Sequence, residues 1–85
     1  MENSYNILTF NEWKFDGVRV KPEAKGVHIF SLQEKKTFMR GDVTLRNKLN
    51  DSNYKEKLLL SLFQKHFDWI QEQYKYWKIN NYNEE

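Results

Sequence analysis

Basic and aromatic side chains are the residues of this chain that could do chemistry. Lysine and arginine are concentrated in its middle: from Lys14 to Lys57 there are eleven of them against six acidic residues, although the net charge of the whole chain is only +2. Cationic side chains displace counterions from phosphates and exposed aromatic rings stack on bases, so together they favour binding of a single nucleic-acid strand. We predict that RNA or single-stranded DNA contacts these cations: Arg19, Lys21, Lys25, Lys35, Lys36, Arg40, Arg46 and Lys48.

Two other interpretations of the basic segment stay open. The first is an ordinary solvated surface, which a chain with 31% charged residues can present without any partner. In the second, the cations dock on an acidic protein, and the chain acts as a protein–protein inhibitor or adaptor without nucleic acid. We interpret Arg19 and Lys21 as facing opposite sides of a strand, so the cations need not form one continuous patch.

Catalytic and metal chemistry find little support in the sequence. The two histidines, His28 and His66, lie far apart, and neither belongs to an H-E-x-x-H or serine-nucleophile motif. The glycines are isolated, so no phosphate-cradling loop is predicted, and without cysteine there is no thiolate metal site. We therefore expect no enzyme activity, no cofactor and no metal, and we expect His66 to be a neutral, packed side chain.

Size and composition indicate one small domain. With 85 residues, 39% of them apolar and 16% aromatic, the chain has material for one core built largely from aromatic rings. No cysteine, long apolar run or signal sequence is present, so we expect a protein of the cytoplasm, or of the host cytoplasm if a phage encodes it, with no membrane partner. Residues 1–78 are expected to form the domain and residues 79–85 a flexible tail.

The elements that position the cations are predicted to form an α+β fold. It consists of a short N-terminal helix, a small antiparallel sheet of two or three strands, and a long C-terminal amphipathic helix. Thr9 and Glu12 are spaced as a capping box, which predicts the first helix over 10–16. Gly17 can take the left-handed conformation that ends helices, so we expect the helix to end there.

The sheet is predicted from runs of β-forming residues. Strands are expected over 18–20 and 27–30, joined by a loop over 21–26 that contains proline and glycine. Residues 37–49 fit two alternatives, a third strand or a helix capped by Asp42, and their periodicity does not separate the two.

Apolar residues recur at helical spacing from Asn53 to Trp77, which predicts one helix over this range with Asn53 as its cap. Its apolar arc is roughly 200° wide, more than one contact needs. We expect a homodimer, in which a second copy covers the other side of the arc. The alternative is a monomer in which the first helix and the loops cover it. The residues predicted for a dimer interface are Leu58, Leu62, Trp69, Tyr76 and Trp77.

One segment of the chain resembles a known family. The residues that carry the resemblance are Thr9, Glu12-Trp13, Gly17, Val20, Lys25-Gly26 and Ile29-Phe30. Their order is similar to the N-terminal single-stranded-DNA-binding domain of plasmid antirestriction proteins of the ArdC type, in which a short helix with a Trp leads through a Gly into a basic hairpin. Glu23 stands where the family has Gly and Ala24 where it has Glu, and Glu23 would repel a phosphate.

The resemblance implies binding of a single strand. Length, lack of cysteine and a composition rich in Asn, Lys and Tyr are also similar to early proteins of large lytic phages that disarm host defences. This second resemblance implies a phage-type inhibitor of a host nuclease or defence system.

Overall fold

The chain forms four helices and one sheet over the part that the computed structural model describes, which is the backbone of residues 7–83 and the side chains of residues 7–76. The elements are α1 (Phe10–Asp16), β1 (Val18–Glu23), β2 (Gly26–Ser31), β3 (Thr37–Asp42), α2 (Val43–Lys48), α3 (Ser52–Lys65) and α4 (Phe67–Asn83). The three strands are antiparallel in the order β1-β2-β3, which confirms the predicted α+β fold. No helix within this range is both long and apolar enough to cross a membrane.

The first helix begins at the predicted capping box. The Thr9 hydroxyl accepts from the backbone N–H of Glu12 at 3.3 Å, and the Glu12 carboxylate accepts from the backbone N–H of Thr9 at 3.1 Å. The helix ends at Asp16 as predicted, but the left-handed conformation expected at Gly17 is wrong, since its φ is −115°. Glycine is needed there for space, because a Cβ atom would lie 2.6 Å from Cδ1 of Trp13.

Trp13 is the centre of the core. Its side chain is 1% exposed, and its ring centroid lies 5.2 Å from that of Phe63 on α3 and 5.7 Å from that of Phe38 on β3. A helix of seven residues is not stable alone, so this packing is what holds α1 in place. The other buried apolar residues are Leu8, Val18, Val27, Ile29, Leu49, Leu59, Leu62 and Ile70.

The first two strands form a tight hairpin. Glu23 pairs with Gly26, so the turn consists only of Ala24-Lys25. The loop predicted over 21–26 was too long, because Pro22 does not end the strand: β1 lies at the edge of the sheet, where a missing N–H breaks no ladder bond.

The segment predicted as either strand or helix contains both. Asp42 is the last residue of β3, and its carboxylate accepts from the backbone N–H of Leu45 at 3.0 Å and so caps α2. The helix follows the strand with no linker, and Gly41 permits this because a Cβ atom there would collide with the Leu45 side chain.

The C-terminal helices differ from the prediction at both ends. Asp51 caps α3, accepting from the N–H groups of Asn53 and Tyr54, so the prediction of Asn53 as the cap is wrong. At the other end, α4 continues past Trp77 to Asn83, into the range predicted as a flexible tail, because no glycine or proline stops it. The last two residues of that predicted tail lie outside the described range.

The predicted single long helix is wrong, since the helix is broken at His66, where φ is −106° and ψ is 21°. Before the break, Phe63 packs on Trp13; after it, Trp69 packs on the Phe38 ring at 5.8 Å. The His66 ring itself lies 5.0 Å from that of Phe38. The break therefore lets each helix present its own apolar residues to the core.

His66 is packed as the sequence predicted. No described hydrogen-bond partner reaches its Nε2 atom. Burial of the ring, reinforced by the charges of Lys65 and Lys36, lowers the pKa of His66 below 6.5. Just below pH 6.5 the unfolded chain therefore binds a proton that the folded chain does not, so the free energy of unfolding falls as the pH drops through this value.

We expect the substitution His66→Phe to flatten this pH dependence. A phenyl ring can keep the contact with Phe38 but cannot take up a proton, so the loss of stability on acidification should be smaller. Urea unfolding of the wild type and the variant between about pH 5 and about pH 8 measures this. Identical slopes of stability against pH for the two proteins would contradict the conclusion that protonation of His66 causes the loss of stability.

The side chain of Gln71 on α4 holds the segment before α1. Its Oε1 accepts from the backbone N–H of Leu8 at 2.8 Å, and its Nε2 donates to the backbone C=O of Leu8 at 2.9 Å. Leu8, which is 5% exposed, is thereby fixed in the core.

We predict that Gln71→Glu lowers the free energy of unfolding by about 1–3 kcal/mol, because it removes the donor and sets a carboxylate against the Leu8 carbonyl. The exposed neighbour supplies the matched control: Glu72→Gln should change stability by no more than about 0.5 kcal/mol. Urea unfolding measures both. An equal effect of the two substitutions would show that the hydrogen bonds of Gln71 to Leu8 do not stabilise the fold.

Candidate nucleic-acid interface

The two faces of the sheet have different surroundings. Side chains alternate along a strand, so Val18, Val27 and Ile29 are buried on one face, while the residues between them are exposed or half-buried on the other. In the described part of the chain no helix packs on that second face, which we call the open face. It consists of Arg19, Lys21, Glu23, His28, Phe30, Thr37 and Arg40.

Two aromatic rings occupy the centre of the open face. The rings of His28 and Phe30 on β2 have centroids 4.7 Å apart, with 34° between their planes, and both residues are half-buried. The Nε2 atom of His28 lies 2.6 Å from the Thr37 hydroxyl on β3, a hydrogen bond that orients the imidazole. Rings held in this way provide an aromatic surface on which bases can stack.

Cations flank these rings on both neighbouring strands. Phe30 pairs with Arg19, and His28 pairs with Lys21 on β1 and with Arg40 on β3. The Cβ atoms of directly paired residues lie about 4.5–5.5 Å apart, so the three exposed cations stand beside the rings. The interpretation that Arg19 and Lys21 face opposite sides is wrong, because residues two positions apart on a strand share a face.

Four of the other predicted cations lie outside this group. Lys25 and Lys35 are exposed in the β1–β2 and β2–β3 turns, which lie at opposite ends of β2. Lys36 and Lys48 have their ammonium groups 5.3 and 5.7 Å from aromatic rings of α4 and α3. The predicted cations therefore do not form one patch.

Arg46 has a structural role in the hairpin. Its Nη1 donates to the backbone carbonyls of Glu23 at 2.6 Å and Ala24 at 3.1 Å, so α2 holds the β1–β2 turn. Because Nη1 is engaged within the chain, Arg46 has a role in the fold that does not depend on nucleic acid.

Two carboxylates lie at the end of the sheet near the β1–β2 turn, where Lys25 is also exposed. Glu23 belongs to the open face there, and Asp42 lies at the same end, opposite Gly26. Because carboxylates repel phosphates, the part of the open face around Arg19, Lys21 and Arg40 is the more favourable one for a phosphate.

The residues predicted for a dimer interface are divided between core and surface. Leu62 is 5% exposed and belongs to the core, so its prediction as an interface residue is wrong. Leu58 and Trp69 are half-buried and pack against the core, whereas Tyr76 is 55% exposed. The side chain of Trp77 lies outside the described part. Among the described members of this set, Tyr76 alone is fully on the surface.

Sequence reasoning missed the aromatic pair of the open face. His28 was considered for catalysis, and both residues as part of the strand predicted over 27–30, but neither as a ring on which bases stack. The available signal was their spacing of two residues within a predicted strand, next to the basic residues of the preceding strand.

Comparison with known proteins gives no assignment for the chain. No protein-family model matches it, and no curated protein or solved structure does either. Within residues 7–76, no group of three or more His, Asp or Glu side chains is placed to hold a metal ion. The open face must therefore be interpreted from its own geometry.

We predict that Arg46→Gln lowers the free energy of unfolding by about 1.5–3 kcal/mol, because hydrogen bonds from a charged group to the hairpin carbonyls are lost. Lys48→Gln on the same helix removes the same charge from an exposed side chain and should cost no more than about 0.5 kcal/mol. Thermal or urea unfolding compares the two. Equal stabilities would show that Arg46 does not hold the turn.

Proposed function

We propose that this protein binds RNA or single-stranded DNA on the open face of its sheet. The observation that carries the proposal is the pair of rings, His28 and Phe30, at the centre of that face, with Arg19, Lys21 and Arg40 on the two neighbouring strands.

The chemistry of this arrangement suits an unpaired strand. Bases of a single strand have free faces that can stack on aromatic rings, at about 1–3 kcal/mol each, whereas a duplex hides those faces. The flanking cations can meet phosphates on either side of the stacked bases. Neither contact reads a base edge, so we expect weak sequence preference.

The biological setting is part of the same proposal and rests on sequence resemblance. A cytoplasmic protein that covers a single strand would keep a host nuclease or defence protein away from it, as a phage-type inhibitor does. Direct inhibition of such a protein without nucleic acid is the alternative. Homodimerisation stays a prediction.

Binding of a fluorescent single-stranded oligonucleotide, followed by anisotropy, tests the proposal. If three cations neutralise three phosphates of a single strand, the logarithm of the binding constant should fall with the logarithm of the salt concentration with a slope of about −2. A duplex of the same sequence should bind more weakly. Failure of every oligonucleotide to bind at low salt would refute the proposal.

Two substitutions on the open face distinguish base stacking from the effect of the protein's net charge. Phe30→Ala should weaken binding by about five- to 150-fold, which corresponds to the loss of one stacked base. Arg40→Glu should weaken binding and reduce the salt slope, whereas Lys48→Glu makes the same charge change on α2 and should have a much smaller effect. Equal effects of the two charge reversals would mean that net charge, not the open face, drives binding.

A further inference from the structure

The outer edge of β1 carries backbone groups that are not used by the sheet. In an antiparallel pair, alternate residues exchange hydrogen bonds with the partner strand, and the residues between them point their N–H and C=O groups away. Counting from the Glu23–Gly26 pair at the turn, the outward residues are Val18, Val20 and Pro22. Proline has no N–H, so the available donors are those of Val18 and Val20. Among the described residues no strand pairs with this edge.

An open groove lies beside this edge, between β1 and α3. It consists of two adjoining hollows of about 390 and 400 Å³ that share Val20 and Lys55. Val18 and Leu59 line one of the hollows, as does Phe15, which is 78% exposed. A strand added to β1 would direct every second side chain into this groove.

The other edge of the sheet is less suited to pairing. A register shift interrupts the β2–β3 pairing between Ile29 and Phe30, and bulges of this kind are a common protection of edge strands. In addition, Trp69 packs on Phe38 of β3, and α2 begins directly after the strand. By contrast, β1 is paired with β2 through six consecutive residues without a shift.

The charges along β1 indicate the chemistry of the occupant. Arg19 and Lys21 project beside the edge on the open face, and Glu23 is the one acidic residue of β1. In one of the two hollows of the groove, Lys14 and Glu56 neutralise each other in an ion pair, which leaves the charge of Lys55. A second copy paired through its own β1 in antiparallel orientation would set these cations against each other, which is unfavourable. Acidic side chains would be attracted instead.

We propose that the β1 edge binds an extended peptide segment of a partner protein in which acidic and apolar side chains alternate. The peptide pairs with the N–H and C=O groups of Val18 and Val20. Its acidic side chains lie beside Arg19 and Lys21, and its apolar side chains enter the groove. This mode of recognition uses main-chain hydrogen bonds for affinity and alternate side chains for specificity. The proposed peptide site differs from the nucleic-acid site because it uses the backbone of β1 and the groove, not the rings of the open face.

The test uses the intact protein and a short synthetic peptide in which glutamate and valine alternate. Hydrogen exchange of the Val18 and Val20 amides, followed by NMR, should slow about tenfold with peptide at about ten times its Kd. A peptide with lysine in place of glutamate should give no such protection. The proposal is overturned if the glutamate peptide leaves both amides unprotected. It is also overturned if they are already protected in the free protein, because the chain itself or a second copy then covers the edge.

Two variants separate this site from the nucleic-acid site. Val20→Pro removes an outward N–H at a position equivalent to Pro22 and should abolish peptide binding while oligonucleotide binding persists. Should that variant fold poorly, Phe15→Ser, which removes an exposed apolar side chain from the groove, should still weaken the glutamate peptide at least about tenfold, or about 1.4 kcal/mol. Leu60→Ser makes a similar change at an exposed apolar residue outside the groove and should have little effect. Equal losses from these two variants would remove the groove from the site.

Discussion

The packing of Trp13 between Phe63 and Phe38 is the contact on which the rest of the structure depends. It places α1, α3 and β3 around one aromatic side chain that is 1% exposed. The described helices contribute their buried apolar residues to the core on one face of the three-stranded sheet. Covering one face of the sheet in this way leaves the other face open.

The open face and the β1 edge follow from that arrangement. On β2, alternation sends Val27 and Ile29 to the core and sends His28 and Phe30 to the opposite side. The antiparallel register then sets Arg19, Lys21 and Arg40 beside the two rings, although these residues are distant in sequence. The edge stays unpaired because the helices pack on the buried face and no described strand extends the sheet.

Features fixed by neighbouring residues could be predicted from the sequence, and features fixed by tertiary contacts could not. The capping box of Thr9 and Glu12 and the Asp42 cap are local, and both are present. The break at His66 has no glycine or proline to mark it and follows the packing of rings from distant segments. Alternation along a strand is enough to put Arg19 and Lys21 on one face, but only the register places Arg40 of β3 beside them. The hydrogen bonds of Arg46 to the hairpin carbonyls join residues more than 20 positions apart, so the sequence did not reveal them.

The most direct measurement of the central claim is an NMR titration of isotope-labelled protein with a single-stranded oligonucleotide. If the open face is the binding surface, the largest changes in chemical shift should occur at open-face residues of all three strands, with His28 and Phe30 among them. Residues of α3 and α4 around Leu62 and Ile70 should change little. Changes concentrated on those helices, or spread evenly over all the lysines, would contradict the account.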